Sequence, residues 1–207
     1  MRTRIVMTLA AVICAPLMSW AAGTVEITIP AEGTVSRGLR LEAWQRVYEV
    51  TSHPRCANCH TGSDGVPMWS GPSYGKTRPH GMNVQASESR IGAETVQCAT
   101  CHAYRAQGGN DAPHMPPQVA MGWALAPAEA DWFGKSSQDI CMQLRNPDLN
   151  GGRDYIELAQ HLDHDLILHW AWAPGGGRAP APYSLQEHVD DVLAWGAAGQ
   201  PCPEGEE

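Results

Sequence analysis

His53-Pro54-Arg55-Cys56-Ala57-Asn58-Cys59-His60 and Cys98-Ala99-Thr100-Cys101-His102 carry the same short pattern, C-x-x-C-H. The spacing has a chemical meaning. Two thiols three residues apart reach the two vinyl groups on one edge of a porphyrin and form thioethers. The histidine that follows then lies under the ring and binds its iron through an imidazole nitrogen. C-x-x-C…C-x-x-C also fits a zinc ribbon or a pair of disulfides. Neither of those needs a histidine directly after the second cysteine, twice. The pattern therefore predicts two covalently bound haem c groups, attached through Cys56, Cys59, Cys98 and Cys101, with His60 and His102 as proximal iron ligands.

Working outward, the chain of 207 residues holds 21 Gly and 16 Pro, and so is expected to be rich in loops. It holds eight Trp but one Phe, so the aromatic part of its core rests on Trp and Tyr. The net charge is −8, with Lys only at positions 76 and 135. That balance excludes nucleic acid as a partner, because phosphate binding needs clustered Lys and Arg. Arg2 and Arg4 precede an apolar run from Ile5 to Leu17, and Ser19-Trp20-Ala21 supplies small residues at a cleavage site. Residues 1–22 read as a secretory signal peptide. Cleavage removes Arg2 and Arg4 and takes the net charge from −8 to −10. The expectation is a periplasmic domain over residues 23–207, with no membrane insertion once the signal is gone. Cys14 leaves with the signal. Cys141 and Cys202 remain, an even pair in an exported chain, which predicts a disulfide.

The chain between these landmarks reads as short helices and long loops. Val25, Ile27 and Ile29 alternate in an extended lead-in. Leu39–Val50 has helical spacing and runs into the first motif. Thr61–Gln85 is a loop. Ser136 or Ser137 caps a helix to Arg145, before Pro147. Asp154–Trp172 is the longest helical stretch, stopped at Pro174. Ser184-x-x-Glu187 is a capping box that opens a last helix to about Trp195, with Gly196 beyond it. The predicted fold class is mainly α and loop-rich, a single multihaem cytochrome c-like domain wrapped around two c-type haems. Each motif is followed by a Gly-rich loop and then by Pro79-His80-Gly81-Met82 or by Pro113-His114-Met115, a weak internal repeat. His53, His80, Met82, His114, Met115 and His161 are the candidates for the distal iron positions. His161 stands between Leu158 and Leu168 on an apolar stripe.

Several blocks belong to one larger pattern. They are residues 53–60, His80-Gly81-Met82-Asn83-Val84-Gln85, residues 98–102, and Trp123-Ala124-Leu125-Ala126-Pro127. Asn150-Gly151-Gly152-Arg153, His161 with Asp165, Trp170-Ala171-Trp172 with Pro174-Gly175, and Pro201-Cys202-Pro203 complete it. Over roughly residues 53–203 the chain resembles a family of small exported dihaem cytochromes labelled isoquinoline 1-oxidoreductase subunit. Their pattern includes His53, His80 and His161, and the resemblance implies His80 and His161 as distal ligands. It also implies a redox protein partner, a molybdenum hydroxylase that oxidises an N-heterocycle or aldehyde and passes electrons to a cytochrome. A cytochrome or terminal oxidase is the other partner expected. No molybdopterin or flavin motif is present, so the functional expectation is an electron carrier or electron-accepting subunit, with no catalytic residues of its own. The alternative is a dihaem redox enzyme, peroxidase-like or thiosulfate-oxidising. The first would need an open iron and the second a Cys on the iron. A haem sensor ranks below both, for want of an output domain.

Overall fold

The computed structural model describes residues 25–204, apart from 63, 71–75, 87, 94–95, 105–111, 113–114 and 119–121. The expected signal segment, Cys14 and His114 lie outside the described residues. The described chain is mainly helical and loop-rich. Its α-helices are α1 Arg37–Thr51, α2 Pro54–Ala57, α3 Ser137–Arg145, α4 Tyr155–His164, α5 Leu166–His169 and α6 Leu185–Ala197. Two short antiparallel hairpins sit between α2 and α3. Met68–Trp69 (β1) pairs with Arg78–Pro79 (β2), and Gly92–Ala93 (β3) pairs with Val96–Gln97 (β4).

Local chemistry explains where the helices begin. Ser36 accepts from the Leu39 N–H and starts α1. Capping boxes open the other three long helices: Ser136 with Asp139 for α3, Asp154 with Glu157 for α4, and Ser184 with Glu187 for α6. Each satisfies N–H groups that the first helical turn cannot.

The apolar faces of α1, α3, α4 and α6 form one core. Ala43, Trp44 and Val47 of α1 meet Ile140, Cys141 and Leu144 of α3, Ala159 of α4, and Val189, Val192, Leu193 and Trp195 of α6. The Trp44 and Trp195 rings lie 5.2 Å apart. Their indole N–H groups donate to Ser137 Oγ at 2.9 Å and to the Pro201 carbonyl at 3.0 Å, so neither tryptophan buries an unmet donor. Cys141 and Cys202 are joined by a disulfide that ties the end of the chain to α3. Among the described residues no helix is long and apolar enough to cross a membrane.

The structure departs from the sequence pattern at several points. The expected long helix from Asp154 to Trp172 is broken at Asp165, whose backbone is extended and whose carboxylate accepts from the Ile167 N–H at 2.9 Å. Asp165 competes with the helix as a new cap, which is what Asp does when its side chain can reach an N–H two residues on. Leu39 is 53% exposed rather than part of the α1 stripe. Val25 and Ile27 pack on the core, whereas Ile29 is exposed, and the lead-in forms no strand. Gly196 lies inside α6, because Tyr155 of α4 packs flat against it. A Cβ at position 196 would sit 2.0 Å from the Tyr155 ring.

Candidate functional site

Both C-x-x-C-H segments adopt the same helical turn. In the first, the Cys59 and His60 N–H groups both donate to the Cys56 carbonyl, at 3.1 and 3.2 Å. In the second, Cys101 and His102 do the same to the Cys98 carbonyl, at 3.1 and 2.9 Å. One helical turn puts positions i, i+3 and i+4 on one face, so each motif presents two thiols and an imidazole together. His53 caps the first turn, its Nδ1 accepting from the Arg55 N–H at 3.3 Å. The second turn is entered through β3 and β4. Gly92 holds a φ of +110° there, and a Cβ would sit 2.7 Å from the Cys98 nitrogen. That position needs glycine.

The environment of the two histidines is also repeated. His60 Nδ1 donates to the Ala130 carbonyl at 3.0 Å, and its ring stacks on Trp132 at 3.4 Å with a 2° tilt. His102 Nδ1 donates to the Pro117 carbonyl at 3.1 Å, and its ring stacks on Trp123 at 4.3 Å with a 17° tilt. A carbonyl oxygen can only accept, so the proton of each neutral ring is fixed on Nδ1 and the lone pair on Nε2. This is the tautomer of a histidine held ready for a metal by a backbone carbonyl. Burial keeps both rings neutral, pushing each down to about 4 against the pull of its carbonyl partner.

A second imidazole approaches His102. The ring centroids of His80 and His102 are 6.3 Å apart. Two imidazoles on opposite sides of one metal, each nitrogen about 2 Å from it, have centroids about 6 Å apart. His80 is placed by the first motif. Met68 N–H donates to the Asn58 carbonyl, Asn58 Nδ2 donates to Ser70 Oγ, and His80 N–H donates to the Pro67 carbonyl. His80 Nδ1 hydrogen-bonds the Gly81 carbonyl at 2.8 Å, which again leaves Nε2 as the acceptor. The loop that follows the first motif thus serves the second. His161, on the last turn of α4, lies near His60. After burial and the Ala130 carbonyl, it is the next influence on that ring's proton affinity.

A cavity of about 550 Å³ runs between the motifs. It is bounded by Cys59 of the first and Cys98, Cys101 and His102 of the second, with His80 also in its wall. The size is that of a site for a sizeable organic group. Cys59 and Cys98 line the same cavity, and Cys98 adds to the raising of the Cys59 thiol by burial, against the lowering by Arg55. None of the four motif cysteines is in a disulfide. Burial pushes the Cys56 thiol up to about 12 and the Cys59 thiol up to about 11, so both are protonated. Among the described residues no three His, Cys, Asp or Glu side chains converge as a metal-ion site.

The remaining candidates are placed differently. Met82 is 83% exposed at the cavity mouth, and Met115 lies in the cavity wall. With Nδ1 accepting, His53 carries its neutral-state proton on Nε2, the reverse of His60, His80 and His102. The Trp platforms and the carbonyl clasps were not legible as site features. Only the excess of Trp over Phe pointed toward them. No protein-family model, no curated protein and no solved structure matches the chain.

Proposed function

We propose that this chain is a periplasmic dihaem c-type cytochrome that carries electrons for a partner oxidoreductase. The observation that carries the reading is the twofold occurrence of one cradle: a C-x-x-C-H turn, a carbonyl fixing Nδ1 of its histidine, and a tryptophan under the imidazole. Cys56 and Cys59 would hold one haem with His60, and Cys98 and Cys101 the other with His102. Neutral thiols free of disulfides suit thioether formation. A zinc ribbon needs four ligands on one ion, which these cysteines do not bring together.

A c-type haem supplies a one-electron couple at its iron. The protein's own residues do the rest. The Ala130 and Pro117 carbonyls hold the proton away from Nε2 of His60 and His102. Trp132 and Trp123 fix the ring planes. His80 would hold the iron of one haem together with His102, and His161 that of the other together with His60. Paired imidazoles favour the ferric state relative to a His/Met pair and leave no open position for a substrate, which supports a carrier over a peroxidase. A thiosulfate-oxidising iron would need a thiolate, and Cys141 and Cys202 are both in the disulfide. As acceptor, the resemblance points to a molybdenum hydroxylase's electrons.

The test is intact mass and electron paramagnetic resonance of protein matured in the periplasm. The mass exceeds the processed chain by two haems, and the ferric spectrum is low-spin at both irons. His80→Ala makes the His102 haem high-spin, and His161→Ala does so for the His60 haem. A mass without haem ends the reading. A Met82→Ala or Met115→Ala change that perturbs an iron overturns the ligand pairing.

A further inference from the structure

We propose that Asn58, inside the first attachment motif, is the positioning residue for the distal ligand of the second, and that its hydrogen bond to Ser70 keeps the His102 iron closed to outside ligands. The inference rests on the dihaem reading and adds residues to it. His80 follows directly on the β1–β2 hairpin, whose strands are two residues each. A pair of strands that short does not hold its shape alone. Its outer side is exposed at Thr77, Arg78 and Pro79, and so is the turn beyond His80 at Gly81 and Met82. The place of His80 is therefore fixed from the inner side.

The inner side hangs from Asn58 at two atoms. Its carbonyl accepts from the Met68 N–H at 2.9 Å, and its Nδ2 donates to Ser70 Oγ at 2.8 Å. Ser70 Oγ hydrogen-bonds Thr77 Oγ1, also at 2.8 Å, which carries the hold across to the residue before β2. The His80 N–H closes the base of the hairpin by donating to the Pro67 carbonyl at 2.8 Å. Asn58 and Ser70 are 9% and 5% exposed, so water competes little for these bonds. The Asn58 carboxamide is buried although its Oδ1 has no hydrogen-bond partner among the described residues. Packing alone would favour a hydrocarbon there, so what the side chain supplies is its bond to Ser70. Asn58 stands between Cys56 and Cys59, on the turn that the first pair of thioethers would pin. It also lines the cavity bordered by His80 and His102. One side chain thus ties the attachment turn of one haem to the ligand of the other. The ligation of the His102 iron depends on a bond whose two ends both lie outside the second motif.

The test uses the reduced holoprotein and carbon monoxide, followed at the haem whose spectrum His80→Ala perturbs. Carbon monoxide binds that iron only by displacing His80, so its affinity there reports how firmly His80 is held. Asn58→Leu and Ser70→Ala each cut the buried bond, and each raises that affinity about tenfold. The affinity of the haem attached at Cys56 and Cys59 is unchanged. The double variant binds no more tightly than the stronger single one, because both changes remove one bond. Asn58→Asp, whose carboxylate accepts from the Ser70 hydroxyl, stays near the wild type. Lys76→Gln, exposed in the same hairpin, gives the background. If Asn58→Leu does not mature, Ser70→Ala decides, since it lies outside both motifs. A Ser70→Ala protein that binds no more tightly than Lys76→Gln overturns the proposal. So does a rise confined to the His60 haem, full additivity in the double variant, or an effect of Asp as large as that of Leu. A His80→Ala change that perturbs neither haem removes the ligand pairing and this inference with it. A chain that carries no haem overturns the underlying reading, whereas two haems that both ignore Asn58 and Ser70 overturn this inference alone.

Discussion

Removing the Cys141–Cys202 bridge costs this protein a large share of its stability. The perturbation is Cys141→Ala with Cys202→Ser. The two positions are 61 residues apart, and the closed loop contains α4, α5 and α6. Constraining a loop of that length removes about 4 kcal/mol of chain entropy from the unfolded state. Cys141 is 0% exposed, so losing its sulfur also leaves a small void, adding roughly 1 kcal/mol. The sum, about 5 kcal/mol, compares with a total of about 5–15 kcal/mol for an ordinary domain. The assay is urea unfolding followed by far-ultraviolet circular dichroism, for the oxidised, reduced and doubly substituted proteins. With a slope near 2.5 kcal/mol per molar urea, the midpoint falls by about 2 M. Reduction alone gives most of the same fall. A loss below about 1 kcal/mol in both would refute the reasoning, and would mean that the α1–α3–α6 core holds the C-terminal segment without the bond.

Two further tests address the core. His188 on α6 is held neutral at about 3 by burial first and then by Arg46, against about 6.5 when unfolded. Its contribution is present above pH 6.5 and is lost as pH falls, by about 2 kcal/mol between pH 6.5 and 4.5. His188→Leu flattens that acid limb in stability-against-pH curves, and an unchanged limb would assign the slope to other groups. Gly196→Ala forces a Cβ into the Tyr155 ring and destabilises by about 1–3 kcal/mol. Adding Tyr155→Ala recovers part of that loss in a double-mutant cycle, and strict additivity would contradict the packing argument.

Much of this molecule is local, and the local part was legible. The capping boxes at Ser136, Asp154 and Ser184 each use a side chain to satisfy an N–H within three residues, so their ends can be read along the chain. The C-x-x-C-H turns are legible for the same reason, since one helical turn contains every group they need. The break at Asp165 was not legible, because Leu158, Leu162 and Leu168 sustain a helical apolar pattern across it. The cap wins there on a hydrogen bond that periodicity does not register.

By itself the sequence determined the two thiol pairs with their histidines, the mainly helical and loop-rich class, and the pairing of the two leftover cysteines. In chain order His80 follows the first motif. Only the tertiary structure turned it toward His102, because the β1–β2 hairpin is hung from Asn58 and its far end reaches the second turn. The same holds for the tryptophan and carbonyl that cradle each histidine. Ala130 and Trp132 are about 70 residues beyond His60, and contacts at such separations are set by how the loops close over the cavity. Residue type and spacing state which groups can do the chemistry. Which of them meet depends on the packing of segments distant in the chain, where the geometry of a turn has no influence.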